Sequence, residues 1–132
     1  MAKLVLVAHG ARLRGWAREA RDQYLSRMPR GYALECLPRA PRGARLVALD
    51  EQGRDLTTAQ LAALLGRWMR ESAPTAFVIG GPDGLDAQTK KEAVLLLRLS
   101  ALTLPHALAQ VVLAEQLYRA ATLLTGHPYH RG

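Results

Sequence analysis

Residues 75–86, TAFVIGGPDGLD, read as a buried strand running directly into a glycine-rich turn and the start of a helix. TAFVI (75–79) is almost unbroken in its apolar character, the mark of a strand covered on both faces, as in a parallel sheet. GGPDGLD (80–86) then opens a helix expected across 87–96. Glycines at such a place let backbone approach a ligand closely, and the following helix start offers free N–H groups. The turn has neither the Lys-Ser/Thr pair of a phosphate loop nor G-x-G-x-x-G spacing, so by itself it is also readable as a plain tight turn.

On the N-terminal side, residues 3–8 (KLVLVA) read as a strand. His9–Gly10 punctuate it, and a helix follows over 15–28 in which Trp16, Ala20, Tyr24 and Met28 recur every four positions. Pro29 and Gly31 close that helix, and 32–37 (YALECL) is a second strand. PRAPRGAR (38–45) is a loop, LVAL (46–49) a third strand ending at Asp50, and Thr57 or Thr58 caps a helix that runs to about Arg70. Beyond the central turn, 99–104 (LSALTL) is a short apolar stretch, and Pro105 begins a long helix ending near Gly126. Strands alternating with helices predict one α/β domain over 1–132: a three-layer parallel sheet with helices on both faces. Positions 49–50, 80–84 and 99–104 then fall at or beyond strand carboxyl ends, where open α/β sheets bind ligands.

Of the 132 residues, 49% are hydrophobic and 22% charged, and no apolar run approaches the roughly 18 residues of a membrane-spanning helix. MAKLVLVAHG reaches no small-residue cleavage site before Arg12 and Arg14, which predicts a cytoplasmic protein. The single cysteine, Cys36, forms no internal disulfide and reads as a small buried strand residue. The net charge of +7 is lopsided: residues 1–45 carry ten basic and three acidic side chains, whereas 46–132 balance eight against eight. A one-sided basic surface attracts polyanions such as nucleic acid. His106, in the first turn of the last helix, reads as a capping or packing residue. Glu115, in an apolar stretch, has to be paired or face an interface. His127, Tyr129 and His130 crowd the tail, yet a metal would need a third ligand that the sequence does not supply, so none is expected.

IGGPDGL (79–85), LSALTLPHALAQVVLAEQLYRA (99–120), HPYHR (127–131) and, more loosely, 1–37 and LDEQG (49–53) resemble the ribosomal RNA large-subunit methyltransferase H family, minimal members of the SPOUT methyltransferases. The resemblance implies methyl transfer from S-adenosylmethionine to N3 of a pseudouridine in helix 69 of 23S rRNA, with the assembled ribosome as substrate. It implies a homodimer and a C-terminal trefoil knot, a rare exception to un-knotted topology. Its cofactor pocket maps to Leu49, Gly80, Gly81, Leu99, Ser100, Ala101, Leu102, Thr103 and Leu104, mostly through backbone. Tyr129 and His130 match residues used near the target base, and His130, with a reference pKa near neutrality, is the candidate base. Arg12, Arg14 and Arg131 are the expected RNA contacts. The dimer is expected through helix 105–125, with Leu108, Val111, Val112, Leu117, Tyr118 and Leu124 as its apolar surface.

Two departures from the family pattern stand out. PRAPRGAR replaces a crossover helix of about twenty residues, so the loop has to run extended across one sheet face. Gln110 stands where the family typically has Arg, which removes a charge-assisted contact. Together they motivate an alternative: a catalytically weak RNA- or ribosome-binding module that keeps the fold.

Overall fold

The computed structural model describes the backbone of residues 2–131 and the side chains of residues 2–129. The elements follow in the order β1 (Leu4–Ala8), α1 (Gly15–Arg27), β2 (Leu34–Cys36), β3 (Arg45–Asp55), α2 (Thr58–Met69), β4 (Thr75–Ile79), α3 (Ala87–Glu92), β5 (Leu95–Arg98) and α4 (His106–Thr125), and a 3-10 turn over Pro128–Arg131 is the last of the described elements. All five strands pair in parallel, in the order β2-β1-β4-β3-β5.

Alternation along the strands sorts their side chains onto two faces. Leu4, Leu6, Val47, Phe77, Ile79, Leu95 and Leu97 point to one, where α2 contributes Leu61, Leu65 and Trp68 and α4 contributes Leu113, Leu117 and Ala120. α1 closes the same core with Leu25, and Met28 just past its end joins it. Val5, Val7, Ala76 and Val78 point to the other face, under Leu37, Ala40, Ala44, Leu46 and Leu85. Crossover handedness explains the division. β1 to β2 and β3 to β4 step the same way along the sheet, so right-handed connections put α1 and α2 on one face. β2 to β3 and β4 to β5 step the opposite way, which sends residues 37–44 and α3 to the other face.

The second layer is therefore thin, a strap and a six-residue helix rather than a row of long helices. Eight residues suffice for the strap because β2 is short: Cys36 lies level with Leu6, while Arg45 lies level with Leu4. Three strand spacings and two rungs amount to about 16 Å, and nine extended steps reach about 30 Å.

Five sequence expectations need correction. The helix predicted over 87–96 stops at Glu92, and Leu95–Arg98 form β5, with Leu95 and Leu97 alternating into the core. The apolar run VLLL has no periodicity that separates a helix end from a strand. β3 runs past Leu49 to Asp55 and pairs with β5 on both sides of a register break between Leu49 and Arg54. Gly53 sits in that break because a Cβ there would come 2.6 Å from the Leu96 carbonyl oxygen. On α1 the inward face is Ala17 and Leu25, with Leu13 before it and Met28 after it, while Trp16 is 66% exposed. Cys36, on an edge strand, is exposed rather than buried, although surrounding atoms still push its thiol pKa up by desolvation. Leu117 and Tyr118 lie inside the chain's own core and are unavailable to a partner.

The α2 start follows the sequence closely. Thr57 Oγ1 accepts the Gln60 N–H at 3.1 Å and Gln60 Oε1 accepts the Thr57 N–H at 2.9 Å, a reciprocal cap. Thr57→Ala is expected to lower unfolding free energy by about 1 kcal/mol with an unchanged denaturant slope, measured by urea titration.

Candidate functional site

At the carboxyl ends of β4 and β5, beside the break in β3, lies a cleft of about 910 Å³, in the size range that takes a small organic ligand. Three loops build it: the Leu49–Gln52 break of β3, the turn 80–85 after β4, and residues 99–104 between β5 and α4. Its walls are largely aliphatic, from Leu49, Ile79, Leu85, Leu97, Leu99, Leu102 and Leu104.

The glycine turn owes its shape to backbone crowding. Gly84 N–H donates to the Gly81 carbonyl at 2.9 Å, with Pro82 second in the turn and no non-glycine residue at positive φ, which fits a type I turn. A Cβ on Gly80 would sit 2.5 Å from the Gly84 carbonyl carbon. One on Gly81 would meet Gly10 Cα and N at 3.2 Å, and one on Gly10 would meet Gly81 Cα at 3.2 Å and Pro82 Cδ at 3.1 Å. The turns after β1 and β4 thus touch backbone to backbone. Gly81 is required for that contact between loops, a different reason from the ligand approach expected for it.

Asp50 fixes the β3 side. Its Oδ1 accepts the Gln52 N–H at 2.7 Å and its Oδ2 pairs with Lys90 Nζ of α3 at 3.2 Å. The Gln52 N–H and then Lys90 hold its carboxyl below the ordinary range against the opposing effect of burial. Ser100 Oγ accepts the Leu102 N–H at 2.9 Å, folding the third loop on itself. Arg98 is committed to Asp55 through Nε at 2.7 Å and a second, parallel hydrogen bond. Asp50, Lys90 and Arg98 are thus held in ion pairs, Glu51 and Asp83 add carboxylates to the lining, and the rest of the cleft is aliphatic wall and loop backbone. His106 also lines it, and its buried Nε2 lacks a hydrogen-bond partner among the described residues.

Of the residues expected at the cofactor pocket, Leu49, Gly80, Gly81, Leu99, Ser100, Leu102, Thr103 and Leu104 line this cleft together, and Ala101 does not. Arg12 and Arg14 are exposed on the turn between β1 and α1, next to Ala11 of the cleft wall. The side chains of His130 and Arg131 lie outside the described residues. Among the described residues no cluster of His, Cys, Asp or Glu could hold a metal.

Tyr129 stands away from the cleft. Its hydroxyl donates to Glu115 Oε2 at 2.9 Å, its ring meets Tyr118 edge-on at 4.6 Å between centroids, and the Arg119 guanidinium lies 5.0 Å from the ring centre. Glu115 also accepts from Arg119 and Gln116, so the carboxylate expected to need partners has three. Burial first, then hydrogen bonds to Tyr24 and Glu115, push the Tyr129 phenol well above its ordinary pKa. Sequence reading missed two pairings, Asp50 with Lys90 and Arg21 with Gln110. Neither has a local signal, because their partners are 40 and 89 positions apart.

A family profile described as "Predicted SPOUT methyltransferase" matches residues 32–130. The chain belongs to the SPOUT methyltransferase family. A relative named "Ribosomal RNA large subunit methyltransferase H", from Bordetella avium strain 197N, is 45% identical over 154 aligned positions covering 98% of this chain and 99% of the relative. Those positions outnumber the chain's 132 residues, so the relative carries sequence that this SPOUT methyltransferase lacks. In three dimensions it superposes on a probable methylase family protein from Haemophilus influenzae Rd KW20 with a TM-score of 0.62 at 10% identity, covering 96% of this chain and 69% of that one. TrmJ from Z. mobilis ZM4 gives 0.55 at 12% identity, with coverage of 91% and 70%. At those identities the likeness is one of fold.

The tail network carries an alkaline signature. A phenol whose folded pKa is raised contributes stability below its unfolded pKa, near 10, and loses it as pH climbs through the folded value. Tyr129→Phe is expected to remove the latest-titrating part of the phenolate absorbance rise in an alkaline titration.

Proposed function

We propose that this chain transfers a methyl group from S-adenosylmethionine to large-subunit rRNA, at N3 of a pseudouridine in helix 69 of the ribosome, in the cytoplasm. The observation that carries the reading is the cleft itself: loops from three strand ends give aliphatic walls and backbone donors and acceptors, which suits a flat adenine and a methionine tail. Identity of 45% along the whole chain to a relative named as an rRNA methyltransferase supports the same conclusion.

Leu49, Gly80, Gly81, Leu99, Ser100 and residues 102–104 would hold the cofactor, which when bound supplies an electrophilic methyl group. The chain's part is positioning: holding donor and acceptor in line removes much of the entropic barrier. N3 has to lose a proton, and His130 is the proposed acceptor, with Tyr129 stacking beside the base. Arg12, Arg14 and Arg131 engage phosphates. No metal takes part in this scheme. Tyr129 does not line its own chain's cleft, so a place beside the base requires a second copy to bring a cleft to it. A homodimer provides that. Leu108, Val111 and Val112 of α4 are half-buried, Leu124 is 38% exposed, and Trp16 stands out from the adjoining α1. The knot belongs to the same proposal: the chain leaves β5 at the sheet edge and α4 returns to pack on both α1 and α2.

Gln110 gives little support to a catalytically weak RNA-binding module. It is 1% exposed and accepts a hydrogen bond from Arg21 at 2.9 Å, so a guanidinium is present there after all.

Labelled methyl from S-adenosylmethionine is expected to enter ribosomes that lack the modification. His130→Ala should leave cofactor affinity by calorimetry unchanged and slow transfer at least tenfold, or about 1.4 kcal/mol. Unlabelled ribosomes with the wild-type protein would defeat the proposal. Full-rate transfer by the variant would remove His130 from it. In sedimentation at micromolar concentration the protein is expected to run as a dimer.

A further inference from the structure

Beside the cleft, and sharing Ala11 with it as a wall, is a second basin of about 490 Å³ between the turn after β1, α1 and the end of β2. Arg12, Arg18 and Arg21 line it. The only carboxylate in contact with these three among the described residues is Asp22, which pairs with Arg21 at 3.0 Å and Arg18 at 3.6 Å. Arg12 has no ion pair among the described residues. Three guanidinium groups therefore share one negative charge.

The cations differ in how they are held. Arg12 and Arg18 are exposed and form the rim. Arg21 is 15% exposed and braced from two sides, its Nε donating to Asp22 and its NH1 to the buried Gln110 at 2.9 Å. A guanidinium has five N–H donors, so Arg21 keeps donors free for a ligand. Gln110 is neutral and fixes the group without cancelling its charge. A fixed cation loses little conformational entropy on binding, and a planar fork suits phosphate oxygens.

We propose that this basin holds a backbone phosphodiester of the RNA substrate, next to the nucleotide presented to the cleft. The inference rests on the rRNA methyltransferase reading above. The shared chemistry is a phosphate group, and its source is RNA: the basin has the volume of a nucleotide-sized ligand rather than a bare ion. Its rim cations are open for a chain to continue past.

The test compares Arg12→Gln/Arg18→Gln with a control pair of exposed arginines elsewhere, Arg27→Gln/Arg30→Gln, and with Arg21→Gln. Ribosome binding is measured from about 50 to 200 mM salt, where each lost phosphate contact flattens the slope of log K against log salt by about 0.7–0.9. The rim pair is expected to flatten it by at least one such contact and to raise KM for ribosomes about tenfold with kcat nearly unchanged. Cofactor affinity by calorimetry and sedimentation should match wild type. Arg21→Gln should act in the same direction if its melting temperature is preserved, and the rim pair alone decides the matter if it is not. Equal flattening by the control pair, or an unchanged slope in the rim pair, overturns the proposal. So does micromolar binding of inorganic phosphate or a nucleoside monophosphate at the basin, which would assign it to a soluble ligand. An altered sedimentation of the rim pair would make it a contact between copies instead. If the wild-type protein methylates no ribosomes, the enzymatic reading fails, and the same slopes on bare large-subunit rRNA still decide the basin.

Discussion

The right-handedness of parallel crossovers is the constraint from which the rest of this structure follows. With the strand order β2-β1-β4-β3-β5, two connections step one way along the sheet and two the other. That places α1 and α2 on one face and the 37–44 strap with α3 on the opposite face. α4 then fills the first layer between α1 and α2. What remains open is the end of the sheet at the β3 break and the carboxyl ends of β4 and β5, where three loops enclose the cleft with Lys90 of α3 and His106 and Ala109 of α4.

Within that frame the site is held by contacts too close for side chains. Gly10 and Gly81 bring two turns into backbone contact, and Gly80 lets the next turn fold back on itself. Asp50 ties the β3 break to α3 through Lys90. The second basin obeys the opposite logic: long side chains at its rim are exposed, while the one at its floor is clamped by a carboxylate and a neutral amide. A cleft set by close backbone contacts and a basin rimmed by long cationic side chains lie on either side of Ala11.

Much of the fold was legible because its signals are local. The strand at Thr75–Ile79 and the Thr57 cap were readable from a few neighbouring residues, and the loop families around Leu49, Gly80 and 99–104 from motif resemblance. β5 was not, since an apolar run of four residues fits either a helix end or a strand until β3 is beside it. Trp16 misled for a related reason: spacing of four describes a face but does not say which face is inward, and Leu13 with Ala17 decide that. The bracing of Arg21 by Gln110 and of Lys90 by Asp50 was invisible for want of any sequence proximity. Glu115 was legible in part, because a carboxylate in an apolar stretch has to find partners, though not which ones.

The thin strap gives the two faces unequal resistance to water. Hydrogen bonds of the sheet run in its plane, strand to strand, whereas the strap lies above that plane and touches side chains of Val5, Val7, Ala76 and Val78. Lifting residues 37–44 would wet those side chains while leaving the β1–β4 ladder paired. Such an opening would be silent in the amide exchange of the central strands and visible to an apolar dye, because it would uncover side chains without breaking the central ladder.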